Sequence, residues 1–373
     1  MKKHQKHAKL IKPNIGNFGR NEFAFVGAPC GDIQSLCQQI ISQLSGSKKV
    51  AYVDADHASA DAEPKNLTYT EFTDKITFKQ VNFQEVNEFQ QRFLLQNEDV
   101  ILVNGNHFQA NKQIVFIHPK KEASLKKRTD QLVNVQAIII CDETPVFDWL
   151  NEAIPQLSEI PVFSYPESEK ITDFIHNDIN IPTLKGLVLA GGKSTRMGED
   201  KGLINYHGKP QREYAFELLE SIGVETFVSC RIEQESEISL PIISDKFVGL
   251  GPFGAILSAF QSDPNTAWLV VACDLPFVDK SALNQLISSR NSSKIGTAFY
   301  NEITHFPDPL FTIYEPKAYA TMLQFLALGY SCPRKVLINA DAEIIQPGSS
   351  RILRNINTPE ERKEFTNTTQ KAR

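Results

Sequence analysis

The chain has 373 residues, a formal net charge of -5 and a hydrophobic fraction of 41%. That length exceeds one ordinary core, so two domains are expected, and the mildly acidic balance excludes a global basic surface for nucleic acid. No apolar run is long enough to span a membrane, and no Cys-x-x-Cys pair occurs among cysteines 30, 37, 141, 230, 273 and 332, so neither a zinc ribbon nor a redox motif is expected.

The amino terminus carries Lys2, Lys3, His4, Lys6, His7 and Lys9 with no apolar segment behind it. It reads as a solvated tail rather than a signal peptide, and the cysteines read as reduced thiols of a cytoplasmic protein. Glu22 to Gly27 then reads as a strand ending in a glycine turn, Gly27 to Asp32, and apolar residues Ile33, Leu36, Cys37, Ile40 and Leu44 follow at helical spacing. Strand, glycine turn and helix make a P-loop-like unit. It is degenerate, because no Lys-Ser or Lys-Thr closes the turn and Asp32 places a carboxylate where a phosphate would sit.

Further strands are expected at 50–56, 99–103, 113–118 and 135–141, which alternate with helical stretches and imply a parallel α/β sheet. His107, Asp54 and Asp56 stand at strand ends, as polar caps or as a small metal or phosphate cluster. Residues 151–183 carry Pro155, Pro161, Pro166 and Pro182 and read as a linker with one short helix, Ser168 to His176. The expected division is therefore 1–150, a P-loop-like α/β domain without GTPase activity, 151–183, a linker, and 184–373, a second α/β domain.

The second half opens on Leu187-Val188-Leu189-Ala190-Gly191-Gly192-Lys193-Ser194-Thr195-Arg196-Met197-Gly198-Glu199-Asp200-Lys201. Branched apolar residues run into two glycines, which let main-chain N–H groups approach an anion, and three cations follow. A nucleoside triphosphate suits such a loop. A Walker A loop is excluded because position 187 is Leu where that motif needs Gly, and no Gly-x-Gly-x-x-Gly fingerprint occurs. The remaining alternative is a glycine turn with solvated charges.

Beyond it, Pro210 opens a helix that Gly223 ends, and strands are expected at 225–230 and 240–244, the latter running into Asp245. Gly249 to Gly254 forms a second glycine loop before a helix at 255–261. Ala267 to Ala272 is continuously apolar, hence a central strand, and it delivers Asp274. A strand at 309–314, a helix from Pro316 to Gly329, a last strand at Ile352–Asn355 and a final helix capped by Thr358 and Pro359 complete the pattern. Ligands of open α/β sheets bind outside the carboxyl ends of the strands. Asp274 at such an end suits Mg²⁺ held against nucleotide phosphates, with a turn-capping Asp as the alternative.

The segment Leu-Ala-Gly-Gly-x-Ser-x-Arg-Met-Gly-x-Asp-Lys, residues 189–201, resembles the signature loop of molybdenum cofactor guanylyltransferases, members of a nucleotidyltransferase superfamily with a Rossmann-like fold. Ala190-Gly191-Gly192 and the Asp200-Lys201 pair set it apart from related cytidylyltransferases. The N-terminal half weakly resembles the small GTP-binding protein that often partners these enzymes. The resemblance implies a Rossmann-like nucleotidyltransferase sheet that transfers GMP from GTP to molybdenum-molybdopterin and releases pyrophosphate. It implies nucleotide contacts at Leu189, Ala190, Gly191, Gly192 and Asp245, phosphate contacts at Arg196 and Lys201, and a Mg²⁺ and phosphate ligand at Asp274. Asn355 and Asn357 fall in a late motif on the pterin side. Implied partners are GTP, molybdenum-molybdopterin, and molybdenum cofactor biosynthesis proteins or apo-molybdoenzymes, with neither nucleic acid nor membrane. Alternatives are cytidylyl transfer to molybdopterin, sugar-phosphate nucleotidyl transfer, or a cofactor carrier or scaffold. Arg334 and Lys335 are open between a phosphate-binding pair and a solvated helix start.

Overall fold

The structure is a computed structural model that describes residues 9–55, 70–83, 85–190, 201–356 and 361. The chain divides into two compact units, one of residues 14–180 and one that joins residues 1–13 to 181–373. Lys12 belongs with the second, where its carbonyl accepts a hydrogen bond from Asn265 Nδ2 at 3.2 Å. No helix among the described residues is long and apolar enough to cross a membrane.

The first unit contains β1 (Glu22–Val26), α1 (Cys30–Leu44), β2 (Val50–Val53), β3 (Glu71–Asp74), β4 (Lys79–Asn82), α2 (Glu88–Leu95), β5 (Val100–Asn104), β6 (Lys112–Ile117), α3 (Glu122–Lys126), β7 (Val135–Ile140), α4 (Leu150–Ala153), β8 (Val162–Ser164) and α5 (Ser168–Asn177). Its sheet is parallel throughout, in the order β2-β5-β1-β6-β7-β8, while β3 and β4 pair as a separate hairpin. Strands β1 and β5 are buried along their whole length, which is why they read as continuous apolar runs rather than alternating ones. Helix α1 begins at Cys30, one turn before the helical spacing starts, and buries Ile33, Leu36, Cys37, Ile40 and Leu44 against the sheet.

Residues 151–180 differ from the connecting segment expected of them. Strand β8 is the sixth strand of the first sheet, and Ile171 and Ile175 of α5 are fully buried in the same core as α1. The prolines that suggest a linker lie in the short connections, and the three-residue β8 is too brief to produce a periodic signal.

The second unit contains β9 (Leu184–Leu189), α6 (Gln211–Glu220), β10 (Glu225–Cys230), β11 (Ile242–Ser244), α7 (Pro252–Ser262), β12 (Ala267–Ala272), α8 (Lys280–Ser288), β13 (Gly296–Asn301), β14 (Phe306–Tyr314), α9 (Lys317–Ala327), α10 (Pro333–Asn339) and β15 (Glu343–Ile345). Its sheet is mixed, in the order β11-β10-β9-β12-β14-β13-β15. The four strands from β11 to β12 are parallel, and β14 runs against both β12 and β13. The expected last strand at 352–355 is instead a 3₁₀ turn, Ser350–Leu353. Ile352 and Leu353 are neighbours and both pack inward at 6% and 4% exposure, which a turn permits and an alternating strand does not.

Core packing explains the sheet. All six residues of β12 are buried, and its two faces feed two clusters, one around Leu269, Val271, Leu283 and Phe311, the other around Trp268, Val270, Phe260 and Tyr314. At one rim Glu315 is fully buried and takes a bidentate clasp from Arg290, Nε to Oε1 at 2.6 Å and Nη2 to Oε2 at 2.8 Å. Arg290 Nη2 also donates to Pro182 O at 2.8 Å, which ties the chain entering β9 to the end of β14.

Candidate active site

The parallel strands β11, β10, β9 and β12 all end at one edge of the second sheet. Main-chain bonds hold that edge in register: Ala190 N donates to Ser229 O at 3.2 Å, Cys273 N to Leu189 O at 3.3 Å, and Asp245 N to Cys230 O at 2.9 Å. Asp274 therefore follows β12 and Asp245 follows β11, separated by three strand spacings, or about 14 Å at the usual ~4.8 Å each.

Asp274 is mostly buried, its side chain 15% exposed. Its Oδ2 lies 3.3 Å from Lys201 Nζ, and its Oδ1 is buried and accepts no hydrogen bond among the described residues. A carboxylate oxygen left unpaired below the surface is costly unless a cation or donor meets it. The main-chain carbonyl of Asp274 accepts from Ile356 N at 3.0 Å, so the half-buried Asn355 stands beside the same loop.

Lys201 begins a 3₁₀ turn, Lys201–Leu203, and the segment after it is pinned by His207. Its ring stacks on Tyr214 at 3.8 Å between centroids, and its Nε2 is 2.8 Å from Pro276 O. Burial lowers the His207 pKa below the ordinary value, against the opposing hydrogen bond to Pro276. A neutral ring donating Nε2–H to that carbonyl thus joins the Lys201 segment to the Asp274 loop. Sequence reading missed His207, because its significance depends on a partner 69 residues away.

Asp245 is held by Ser229, whose Oγ donates to Oδ1 at 2.8 Å. Burial raises its pKa, with the Ser229 bond and the nearby Arg231 acting against that rise. The second glycine loop enters α7 through Gly251, at φ 56° and ψ -139°, a conformation that suits glycine. Gly254 allows the helix to lie against the Phe247 carbonyl, since a Cβ there would sit 2.1 Å from that oxygen.

Antiparallel β14 brings a further carboxylate. Val271 pairs with Phe311, and continuing that register sets Asp308 level with Asp274. Asp308 is 5% exposed; Oδ1 accepts from Leu310 N at 2.9 Å and Phe311 N at 3.2 Å, and Asn301 Nδ2 donates to Oδ2 at 3.4 Å. Burial raises its pKa; its hydrogen bonds and Arg334 oppose the rise and Asp274 adds to it. Arg334 and Lys335 separate here. Arg334 is half-buried, faces Asp308 electrostatically, and its Nε is buried without a hydrogen bond, whereas Lys335 is exposed with Nζ 4.7 Å from the Tyr330 ring centroid.

The structure thus gathers Leu189, Ala190, Lys201, Asp274 and Asn355 at one edge, with Asp245 across it. Gly191, Gly192, Lys193, Arg196, Asp200 and Asn357, the helix expected from Thr358, and Asp56 lie outside the described residues. Among the described residues no group of three or more His, Cys, Asp or Glu side chains has the arrangement of a metal site.

Residues 186–343 match the model of the MobA-like NTP transferase domain. The chain is 37% identical over 187 residues to a molybdenum cofactor biosynthesis bifunctional protein of Synechocystis, across 49% of this chain and 54% of that protein. It is 29% identical over 187 residues to a molybdenum cofactor guanylyltransferase of Yersinia pseudotuberculosis, across 48% of this chain and 92% of that protein. The crystal structure of molybdopterin-guanine dinucleotide biosynthesis protein A from Archaeoglobus fulgidus is 23% identical, covers 50% of this chain and 99% of its own, and superposes with a TM-score of 0.43. The C-terminal half of this chain is a MobA-like nucleotidyltransferase domain, related to the molybdenum cofactor guanylyltransferases.

Proposed function

We propose that the chain transfers GMP from GTP to the phosphate of molybdenum-molybdopterin and releases pyrophosphate. The observation that carries this reading is Asp274, a largely buried carboxylate with one oxygen unpaired among the described residues and one oxygen 3.3 Å from Lys201, just after a fully buried strand. The unpaired oxygen fits Mg²⁺, which takes one or two carboxylates and otherwise prefers phosphate and water. Bound there, Mg²⁺ supplies charge withdrawal from the α-phosphate.

The chain's own residues position and neutralise. The attacking phosphate is already anionic, so no general base is required and the rate comes from alignment and charge. Lys201 moves from Asp274 to the triphosphate, and Arg196 with the amides of Gly191 and Gly192 stabilises the departing pyrophosphate. Leu189 and Ala190 border the base, and Asp245, oriented by Ser229, accepts from the nucleoside. Arg334, with a buried N–H still unused, holds the acceptor's phosphate beside Asn355 and Asn357. Residues 184 onward carry the whole reaction. The N-terminal unit does not hydrolyse GTP, because Gly27 to Ile33 lacks the Lys and hydroxyl that such hydrolysis uses; its role is docking, either to a cofactor-supplying partner or to the catalytic half.

The test is incubation of the full chain with labelled GTP, Mg²⁺ and molybdenum-loaded molybdopterin. A labelled dinucleotide and one pyrophosphate per transfer are expected. Equal turnover with CTP would reassign it to cytidylyl transfer, transfer to a sugar phosphate would reassign the acceptor, and tight pterin binding with no transfer would make it a carrier.

A further inference from the structure

The N-terminal unit holds a second set of chemistry-bearing side chains, independent of the nucleotide site. Cys30 is the first residue of the 15-residue helix α1 and is partly exposed. Its Sγ lies 3.3 Å from Nε2 of His107, which follows β5 and is 77 positions away in sequence. Asp54, at the end of β2, places Oδ1 3.8 Å from the same nitrogen and takes a 2.7 Å hydrogen bond from Tyr52 on Oδ2. Three adjacent parallel strands, β2, β5 and β1, thus deliver a carboxylate, an imidazole and a thiol to one edge.

The contact is built rather than incidental. Asn106 clamps both sides of the β1–α1 turn: its Nδ2 donates to Ala28 O at 2.8 Å, and its Oδ1 accepts from Gly27 N at 3.4 Å. Arg128 Nη1 holds the Asn106 carbonyl at 2.8 Å. Gly27, at φ 95°, and Gly105, where a Cβ would lie 2.9 Å from Phe25 O, allow the two loops to approach this closely. Cys30 is partly exposed, and a Cβ on the neighbouring Gly31 would meet nothing within 4 Å. Burial pushes Cys37 far up, and raises Cys141 and Cys230 to about 11.

We propose that Cys30 is a nucleophilic thiol with His107 as its base, and that this pair exchanges with small disulfides. Cys30 Sγ–H passes its proton to His107 Nε2 as the sulfur attacks one sulfur of R–S–S–R. The Cys30–S bond forms, the S–S bond breaks, and the leaving R–S⁻ takes the proton from His107 to depart as R–SH. Cys30 is left in a mixed disulfide, and a second thiol reverses the step. An imidazole beside a thiol at a helix start is the arrangement that activates cysteine. The anionic Asp54 oxygen attracts the proton that Nε2 carries during transfer. No part of this depends on GMP transfer by the other unit.

The full-length protein is tested with iodoacetamide and, separately, glutathione disulfide, each cysteine being followed by peptide mass spectrometry. Cys332 is exposed and serves as the internal reference. Cys30 is expected to react at least about tenfold faster than Cys332 with iodoacetamide, and to take up one glutathione that dithiothreitol removes. His107→Ala should slow Cys30 by about tenfold or more, with no change at Cys332, and added imidazole should restore part of the rate. Restoration by imidazole separates a proton-transfer role from a folding defect, and continued protection of Cys37 and Cys141, buried in the core of the same unit, checks its fold. Equal rates at Cys30 and Cys332, or an undiminished Cys30 rate in a folded His107→Ala protein, would overturn the proposal. Alkylation without glutathione uptake would overturn the disulfide substrate.

Discussion

Replacing Asp274 by Asn keeps the shape of the side chain and removes its charge, which separates a role in the reaction from a role in the fold. In the fold, the charge meets Lys201 at 3.3 Å. Two unit charges at that distance attract by about 5 kcal/mol at an effective dielectric constant of about 20 and by about 1.3 kcal/mol in water. With the side chains 27% and 15% exposed, solvent screens the pair, and Lys201 regains water once its partner is neutral. The stability loss should be about 1 kcal/mol or less, a Tm shift of about 2–4 °C at most. Asn also carries an amide that can donate, so the buried position of Oδ1 is not left with an uncompensated anion. In the reaction, the same substitution removes the charge that recruits Mg²⁺, and a loss of at least about 2.7 kcal/mol from the transition state makes transfer at least about a hundredfold slower. The measurements are Tm, Mg²⁺ dependence and GMP transfer on the one variant. A folded Asp274→Asn protein with near-normal transfer at low Mg²⁺ would show that Asp274 caps its turn and holds no metal.

Lys201→Ala should raise KM for GTP by about tenfold and leave more of kcat than Asp274→Asn does, so excess GTP recovers part of the rate in steady-state assays. Asp245 has a pKa raised by burial, so its protonated form favours the fold. The stability it contributes is present below the ordinary value of 3.8 and is lost as pH rises through the higher folded value. Asp245→Asn should therefore melt above the parent at neutral pH, with the gap narrowing toward acid, while equilibrium binding shows weaker affinity for GTP. Gly254→Ala should destabilise by about 2–3 kcal/mol in chemical denaturation, because its Cβ would meet the Phe247 carbonyl at 2.1 Å. Arg290→Met should cost about 3–5 kcal/mol in the same measurement, since it strands the fully buried Glu315 carboxylate.

How much was legible in the sequence follows from where the information lies. Strands β10 and β12 have the bounds that their residues suggest: β12 is a continuous apolar run, and β10 ends at Cys230, where the charged Arg231 follows. Strand β13 was not foreseen. Its Thr297 is fully buried yet satisfied by a hydrogen bond from Asn291 N at 3.0 Å, so polarity there says nothing of exposure. Strand β14 starts three residues earlier than expected. Pro307 and Pro309 argue against a ladder, and the structure accommodates them through the register shift between Ala298 and Tyr300. Asp274 stands out in the sequence because a carboxylate after six apolar residues is conspicuous. Asp308, His207 and the Cys30–His107 contact do not, since each depends on a partner that only the topology supplies.

The reversal of direction at β14 divides the edge of the second sheet by chain polarity. From β11 to β12 every strand arrives by its carboxyl end. On the other side β14 arrives by its amino end, straight out of the tight turn 302–305, where His305 has φ 59°. A hairpin turn tolerates added residues without disturbing the ladder behind it. Lengthening 302–305 would reach the edge where β14 begins while Asp274, Lys201 and Asp245 keep their places. A single inserted loop would thus change the surface beside Asp308 and leave the four parallel strand ends as they are.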